Sequence, residues 1–537
     1  MEVSRRQFIQ LGGATAASAA VPGLIGGENL VSRPNVRWRA HSPAEMPQPD
    51  LATLLLNRAA FGPQPGDVEE ARQKGVDWWI ERQLDHEKID NSQVEGLIAN
   101  ALPTINMAPR MLLRVGQNQN VAVQELRLAT LYRMVFSPRL LHEVMVEFWS
   151  DHFSIYHAAE QAEYFKTVDD REVIRKYALG KFKDLLTASA TSPAMLNYLN
   201  NDQSRKDRPN ENYARESQEL HTLGVATNDY PYSEQDVKEA ARCLTGWNWD
   251  QRQTSQTYGE FEFRAGDHDN GSKQVLGQFV GANGAQNDGY QFIDILVNHE
   301  ATAKHLAFKL VRRFVTDDPL GQTPDLVNRV VDSYKRSDGD IKELLSTIFR
   351  STEFAKSYAT YGGRLSRPMD LLARALRAAN IAPEHFGLAY QGRDAALYQR
   401  LMKMLTNMGH IPFYWPTPDG FPDVKTAWSA STVMLTRWNF GLSLCGVGNG
   451  ATGFGPELIN GFKILSQTPA NLMTAGEVVD FWIDRILHRA MDPADRDAII
   501  DFLTSGGSAS TPVDLANPGR LPEAVALIFD SPYFQWR

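Results

Sequence analysis

Apolar residues recur at spacings of three and four along most of the chain, which is the pattern of amphipathic helices. Two short alternating runs, 261–263 and 274–280, are the best strand candidates, and the glycine-rich turns that they flank predict a small hairpin. The pattern therefore predicts a mainly α fold: a large multi-helix assembly with a small β-hairpin insertion and long irregular loops. The clearest helical runs cover residues 68–84, 126–136, 140–153, 173–186 and 237–244.

Two heptapeptides in distant parts of the chain share one pattern. Residues 348–354 and 528–534 both begin Ile-Phe, continue to a serine two places later, and reach a phenylalanine three places beyond it. An amphipathic helical run precedes each of them. Either the chain contains two related helical-hairpin units, or two helix ends are alike by chance. No third copy is present, so the pattern does not indicate a solenoid.

The charge balance argues against a nucleic-acid partner. Asp and Glu number 64 against 55 Lys and Arg among 537 residues, so there is no basic excess to neutralise phosphates. Hydrophobic residues make up 43% of the chain, which is typical of a globular protein. The two cysteines, Cys243 and Cys445, are too few for a disulfide framework or a four-thiolate metal site.

The first 27 residues have the features of an export signal. Arg5 and Arg6 precede an uncharged stretch rich in Ala and Gly, which is typical of a twin-arginine signal; a frayed helix with two chance arginines is the alternative. This predicts a periplasmic or extracellular protein without a membrane span. Twin-arginine substrates fold in the reducing cytoplasm, so no Cys243–Cys445 disulfide is expected. The predicted organisation is a signal peptide over 1–30, a linker over 31–50, a helical core over 51–450, and a C-terminal helical extension over 451–537 that packs on the core.

The first cluster of candidate site residues lies on a helix that begins near Pro209. On an ideal helix its polar side chains share an arc of about 100° with an inward-facing leucine, whereas His221 lies on the opposite side. Two neighbouring carboxylates push each other's pKa values apart, which suits acid–base work or cation binding. The alternative is a structural ion-pair network. The residues of the arc are Asn212, Arg215, Glu216 and Glu219.

The second cluster lies on the helical run 140–153. Glu147 and Asp151 are four residues apart and share a helix face, and Asp151 directly precedes His152. Neighbouring carboxylate and imidazole groups are common at sites. His152 also falls at an apolar spacing, which is equally typical of a hydrogen-bonded core histidine.

The third cluster is a turn between glycines. Asp267, His268 and Asp269 offer oxygen and nitrogen ligands for a divalent ion, and Lys273 follows as a candidate substrate contact. Aspartate, asparagine and glycine are also the usual residues of turns, so a purely structural turn is the alternative.

The fourth cluster is the proline- and aromatic-rich stretch 409–439, which regular helices and central strands accommodate poorly. Exposed aromatic faces there would suit sugar rings, and Trp428 and Arg437 are the candidate substrate contacts. Core packing is the alternative.

Several of these segments, taken in order, resemble the DUF1800 family of bacterial proteins over roughly residues 50–450. Members of that family are typically exported, mainly helical and of unknown activity, and are often encoded beside a DUF1501 protein. The resemblance therefore implies an architecture and a partner, but no catalytic residues. It rests on LLNRAAFGP (54–62), EFWSDHF (147–153), NENYARESQELHTLG (210–224), AARCLTGW (240–247), HDNGSKQVLG (268–277), KLVRRFV (309–315) and WNFG (438–441).

The chain departs from the family pattern at two places. Where the family commonly has Trp-His-Asn-His-Phe, this chain has a serine and Asp151 before His152. If the family binds a metal through two histidines there, one ligand is lost here or replaced by Asp151. The loop over 409–421 also differs from the family's Gly-Gln-x-Pro pattern, so a shared substrate contact in that loop is in doubt.

Two functions remain open from the sequence. The first is an exported hydrolase or lyase acting on an extracellular polymer such as a polysaccharide, with Glu216 or Glu219 as general acid or base and a divalent metal as the suggested cofactor. In this version Asp151, His152 and the 267–269 turn position the substrate or hold the ion, so the clusters should converge on one cavity. The second is a non-catalytic binding or assembly subunit that works with a co-exported partner such as a DUF1501 protein. No haem or iron–sulfur motif supports electron transfer.

Overall fold

The structure of the chain is a computed structural model. It describes residues 43–115, 120–159, 162–226, 232–392, 395–447, 464–517 and 519–537. The predicted signal peptide, most of the predicted linker and the start of the predicted C-terminal extension lie outside the described residues.

Helices dominate the described residues, which confirms the mainly α prediction. The helices that precede the strands are α1 (Leu51–Ala59), α2 (Asp67–Lys74), α3 (Val76–Leu84), α4 (Ser92–Ala101), α5 (Pro109–Val115), α6 (Val121–Phe136), α7 (Leu140–His152), α8 (Ala162–Asp169), α9 (Arg175–Tyr177), α10 (Phe182–Ala190), α11 (Pro193–Tyr198), α12 (Glu211–Glu219) and α13 (Glu234–Cys243). A π-helical turn, Asp170–Ile174, joins α8 to α9.

The helices after the strands include two long ones, α14 and α15, that lead into the second half of the chain. They are α14 (Asn287–Asn298), α15 (Glu300–Phe314), α16 (Pro319–Gln322), α17 (Pro324–Ser337), α18 (Ile341–Phe349), α19 (Thr352–Ala355), α20 (Ser357–Tyr361), α21 (Pro368–Ala378), α22 (Pro383–Phe386), α23 (Ala396–Asn407), α24 (Ser431–Leu444), α25 (Ile464–Gln467), α26 (Ala475–Leu487), α27 (Pro493–Thr504), α28 (Leu521–Asp530) and α29 (Pro532–Gln535).

Two of the predicted helical runs are interrupted. The run 68–84 divides into α2 and α3 because Gly75 has a φ of 95°, which a helix cannot contain. The run 173–186 divides at Gly180 and Lys181, between α9 and α10. The apolar spacing of three and four continues in the sequence across both breaks, so the pattern by itself predicted one helix in each case.

The strands form two small antiparallel sheets in place of the single predicted hairpin. Strand β1 (Trp247–Trp249) pairs with β2 (Phe261–Phe263), and β3 (Lys273–Val275) pairs with β4 (Gln278–Val280). The predicted run 274–280 is therefore a hairpin by itself. Its two turn residues, Leu276 and Gly277, both have positive φ, as a tight two-residue turn requires.

The two similar heptapeptides adopt the same local structure. In each, a helix ends, Ser351 or Ser531 donates a hydrogen bond of 2.7 Å to the isoleucine carbonyl three residues earlier, and a short helix follows. The phenylalanines on either side of each serine meet edge to face, with ring centroids 5.4 Å and 5.1 Å apart. Helices α17 and α27 pack against the helices that precede these turns, as expected for two helical-hairpin units.

Helices α6 and α7 are central, because almost all of their side chains are buried. Helix α21 starts with Pro368, whose fixed φ suits the first helical position, and its first turn carries Asp370. Backbone hydrogen bonds of 2.8 and 2.9 Å pair Arg364 with Arg537, so the last residues of the sequence lie beside the start of α21. Among the described residues, no helix is both long and apolar enough to cross a bilayer. Cys243 and Cys445 are buried and free, as expected.

The loop 409–424 contacts the end of α7 at Gly420. With φ at 74°, a Cβ built on Gly420 would lie 2.1 Å from the carbonyl oxygen of Asp151. Only glycine allows this approach.

We expect Gly420→Ala to destabilise the protein by more than about 3 kcal/mol, because the methyl group collides with backbone that cannot move without displacing α7. Gly409→Ala is the matched control: its φ is 71° but nothing lies within 4 Å of the added Cβ. It should cost only about 1–2 kcal/mol of backbone strain. Denaturant midpoints of both variants provide the test, and equal losses would contradict the role of the close contact.

Candidate functional site

A row of carboxylates lies along one face of α7. Glu143, Glu147 and Asp151 are spaced four residues apart, so they point the same way. Each meets an arginine from elsewhere in the chain: Glu143 meets Arg175 at 2.8 Å, Glu147 meets Arg313 at 2.8 Å, and Asp151 meets Arg367 at 2.6 Å. Arg367 also contacts Glu147. These ion pairs connect α7 to α9, α15 and the residue before α21.

Further ion pairs continue this network on the side away from α7. Asp370 forms ion pairs with Arg537 at 2.6 Å and with Arg313 at 3.4 Å. Asp423 lies 2.7 Å from Arg364 and 3.8 Å from Arg313. We call the eight residues the charged centre: Glu147, Asp151, Asp370, Asp423, Arg313, Arg364, Arg367 and Arg537.

The arginines keep most of these carboxylates ionised. Burial by itself would raise the pKa of Asp423, but Arg364 and Arg313 outweigh it and hold that pKa well below its usual range. Burial opposes Arg313 and Arg537 at Asp370 in the same way, and its pKa is also lowered. Asp151 differs: burial and the charge of Asp423 raise its pKa, whereas its contact with Arg367 favours the ionised form.

Lys309 lies at the edge of the charged centre on α15, one turn before Arg313. Burial lowers the pKa of Lys309 to about 8, and the charges of Asp151 and Asp423 only partly restore it. The side chain is half-buried, yet within the described part of the chain its ammonium makes no hydrogen bond and no ion pair. A lysine in this state exchanges a proton close to neutral pH.

Helices α7 and α15 therefore face each other along a graded line of contacts. Glu147 is ion-paired with Arg313, Asp151 lies near Lys309, and the ring centroid of His152 lies 6.2 Å from that of His305. Residue numbers fall along α7 as they rise along α15, so the two helices run antiparallel here. The contact is therefore ion-paired at the end with Glu147 and Arg313, whereas at the other end Lys309 has no ion pair among the described residues.

A small cavity of about 30 Å³ lies between α7 and the loop 409–421. Its volume accommodates a water molecule or an ion, but not a drug-sized or sugar-sized ligand. A substrate would therefore have to lie outside it, against the aromatic side of the loop. The lining includes Glu147, Asp151, His410, Phe413, Trp415 and Phe421.

One set of ligand atoms in the described residues is close enough to hold a metal ion: one oxygen each of Glu147 and Asp151 and a ring nitrogen of His410, all within 4.8 Å of one another. Arg367 already contacts both carboxylates, which is where a cation would sit. The Met369 backbone N–H donates to His410 Nδ1 at 3.2 Å, and burial keeps the ring neutral, so Nε2 carries the proton. This set fits an ion-paired and hydrogen-bonded role better than a metal.

The carboxylates of α12 lie elsewhere. Glu216 is buried and Glu219 is half-buried at the end of the helix; with burial, their charges raise the pKa of Tyr232 to about 12. Arg215 pairs with Glu234 at 2.6 Å and with Glu211 at 3.2 Å, and Asn212 donates to the carbonyl of Leu199. Arg215 and Asn212 thus have structural partners, as the ion-pair alternative predicts.

The 267–269 turn does not assemble one set of ligands. Asp267 faces Arg205 at 3.4 Å, and Asp269 faces Arg242 at 2.7 Å. His268 is fully buried between Thr245 and Asp288. Each group is therefore occupied by its own partner, which is the usual behaviour of a structural turn.

Three predicted substrate contacts lie in the interior, where each has a partner within the chain. Lys273 is 2% exposed and ion-paired with Asp288. Trp428 is 4% exposed and donates to the carbonyl of Pro422, and Arg437 is 1% exposed and donates to the carbonyl of Ser366. The burial and internal hydrogen bonds of Trp428 and Arg437 favour the core-packing alternative.

The predicted convergence of Glu216, His152 and His268 is not observed at the cavity, since none of the three lines it. His152 instead contacts His221 and His305. The helical arc misplaced His221 because α12 ends at Glu219, and the following turn brings His221 back towards α7. Lys309 and Arg313 were missed, although KLVRRFV places three cations in an otherwise apolar heptapeptide, which is a usable signal for buried charge.

Comparison with known proteins adds the family but no activity. The model of the family described as "Protein of unknown function (DUF1800)" matches residues 54–536, so it extends through most of the predicted C-terminal extension. No curated protein and no solved structure matches the chain.

We expect Asp370→Asn to destabilise the protein by about 3–5 kcal/mol, because it leaves Arg537 buried without its counter-charge and removes one of the three carboxylates around Arg313. Asp480→Asn is the control, since Asp480 is 54% exposed in its pair with Arg496 and should cost less than about 1 kcal/mol. Urea unfolding of both variants measures the difference. Similar midpoints would mean that the charged centre does not stabilise the fold.

Proposed function

We propose that this chain, which belongs to the DUF1800 family, is a hydrolase or lyase in which Lys309 acts as general base. The function of the family is unknown, so the proposal rests on the side chains of this protein. The observation that carries the proposal is the position of Lys309. Its ammonium is half-buried and, among the described residues, without an ion pair, while arginines beside it occupy the other carboxylates. A group held in this way can accept a proton without first breaking a salt bridge.

The surroundings of Lys309 suit acid–base work. The negative charges of Asp151, Asp423 and Asp419 act on Lys309, while Arg312 opposes them. Burial lowers the pKa of each nearby imidazole, so these rings stay neutral near pH 7. Lys309 and Asp151 are therefore the two groups in this area whose charge changes near neutral pH, because burial and the charge of Asp423 raise the pKa of Asp151 to about 8 as well. The imidazoles are His152, His221 and His305.

An extracellular polymer such as a polysaccharide is the proposed substrate. The cavity is too small for a sugar, but the loop beside it presents Tyr414, which is 45% exposed, and the half-buried Trp415. Aromatic faces of this kind stack on sugar rings. The proposed export through Arg5 and Arg6 would bring the protein to such a polymer.

We expect Lys309 to titrate near pH 8. After reductive methylation with ¹³C-formaldehyde, its NMR resonance can be assigned by its absence in Lys309→Met, and its shift should change around pH 8 because burial disfavours the ammonium. Lys335→Met, at an exposed lysine paired with Glu300, must leave that resonance in place. A midpoint above about 10, the ordinary value, would remove Lys309 as a base.

The same variants test catalysis against a panel of bacterial and plant polysaccharides, with new reducing ends as the readout. Lys309→Met should lose at least about 100-fold in rate, and the rate of the wild-type protein should rise with pH through about 8, because the neutral amine is the active form. Lys335→Met should retain full activity. If Glu216→Gln and Glu219→Gln abolish turnover while Lys309→Met does not, the base is on α12 instead.

A binding or assembly subunit is the second candidate function, and the size of the cavity favours it. A volume of about 30 Å³ and a charged centre whose carboxylates are nearly all paired are what a structural protein requires. A co-exported protein such as a DUF1501 protein would then be the partner. Recovery of one stoichiometric partner from the periplasm, together with unchanged association of Lys309→Met, would support this function over catalysis.

Export is a proposal that can be tested directly. Replacing Arg5 and Arg6 by lysine keeps the charge but removes the paired guanidinium groups that a twin-arginine receptor reads. The double variant should accumulate in the cytoplasm, whereas the wild-type chain reaches the periplasm in cell fractionation. Equal distribution of the two would rule out this route.

A further inference from the structure

Three histidines from separate parts of the chain lie together beside Lys309. His152 ends α7, His221 follows α12, and His305 is on α15. The ring centroid of His152 lies 6.1 Å from that of His221 and 6.2 Å from that of His305.

Hydrogen bonds to carbonyl groups determine the tautomers of two of these rings. His152 Nε2 lies 3.0 Å from the carbonyl oxygen of His221, and His305 Nε2 lies 3.2 Å from that of Leu220. A carbonyl oxygen only accepts, so both Nε2 atoms carry the proton. Each Nδ1 then has a free lone pair. Histidines that bind a metal have this arrangement: one ring nitrogen donates its proton to a carbonyl or carboxylate, and the other ring nitrogen binds the metal.

The remaining ring nitrogens have no hydrogen-bond partner among the described residues. This is true of His152 Nδ1 and of both nitrogens of His221, although the two residues are only 1% and 0% exposed. Buried polar atoms are almost always satisfied, so several unsatisfied ones together indicate a missing ligand. Gly224 packs closely against the third ring, since a Cβ there would lie 3.0 Å from His305 Nδ1.

We propose that His152, His221 and His305 bind a divalent transition metal of the zinc type, with a fourth position left for water or substrate. Three neutral imidazoles suit zinc, cobalt or copper, whereas magnesium and calcium require oxygen ligands. The ligand nitrogens of the three histidines do not yet lie within 4.8 Å of one another, as those of the acidic set do. Bonds of about 2.0–2.1 Å place tetrahedrally bound imidazole centroids about 5 Å apart, so the separations of His152 from His221 and from His305 each have to shorten by about 1 Å. Rotation of His221, which has no hydrogen bond to break, provides much of this movement.

This site is distinct from the acidic set of Glu147, Asp151 and His410. There, Arg367 contacts both carboxylates and the accepting nitrogen of His410 is already used. The inference does not depend on the role proposed for Lys309, because it rests on the tautomers and the unsatisfied nitrogens. Binding of a dication would nevertheless favour the neutral form of that lysine.

The test uses the full-length protein without a polyhistidine tag, with Co²⁺ as the probe and Zn²⁺ as the competitor. We expect one equivalent of Co²⁺ to give the absorption of a tetrahedral nitrogen site, without a thiolate band since both cysteines are buried, and Zn²⁺ to displace it. His221→Ala should weaken binding more than about 100-fold. His385→Ala, at an exposed histidine on α22, should bind like the wild-type protein.

His410→Ala is the discriminating variant, because it removes the imidazole of the acidic set and leaves the three histidines intact. Circular dichroism checks folding, and His305→Ala decides the matter in the same assay if His221→Ala does not fold. Three results would overturn the proposal: no stoichiometric binding by the wild-type protein, unchanged binding in both His221→Ala and His305→Ala, or loss of binding in His410→Ala alone.

Discussion

The balance of buried charge between four guanidinium groups and four carboxylates is the constraint on which the rest of the structure depends. Removing one partner of a buried ion pair leaves an uncompensated charge, which costs several kcal/mol. Arg313 touches Glu147, Asp370 and Asp423, so α7, α15, α21 and the loop 409–424 have to meet around one guanidinium. Arg537 adds the last residue of the sequence to the same network. The position of α7 follows from these pairs, and with it the position of every candidate functional group.

The groups that are available for acid–base chemistry or metal binding lie where this charge pairing ends. Along the contact between α7 and α15, Glu147 is ion-paired with Arg313. Among the residues that the structure describes, Lys309 has no counter-ion in contact, and His152 and His221 have ring nitrogens without a hydrogen-bond partner. Groups that are buried and unpaired are costly to the fold, and proteins keep such groups mainly at functional sites. The proposed base and the proposed metal site are therefore neighbours for one physical reason, although separate observations support them.

The two helical-hairpin units explain how distant parts of the chain reach this centre. One unit follows α15, which carries Lys309 and Arg313, and the other ends at Arg537. Both use the same turn, in which a serine hydroxyl bonds the preceding helix and two phenylalanines close over it.

The amino-acid sequence by itself determined the helical class, most helix positions, and the shared face of Glu147 and Asp151, because periodicity is a local property. It also indicated a turn at 267–269, where aspartate and glycine are typical turn residues, and the structure has a turn there. Only the tertiary structure decided which carboxylates are paired and which residues face solvent. Glu147 and Arg313 are 166 positions apart, and no periodic pattern specifies such a contact. For the same reason His221 was misplaced: a helical projection is valid only while the helix continues, and α12 ends two residues earlier.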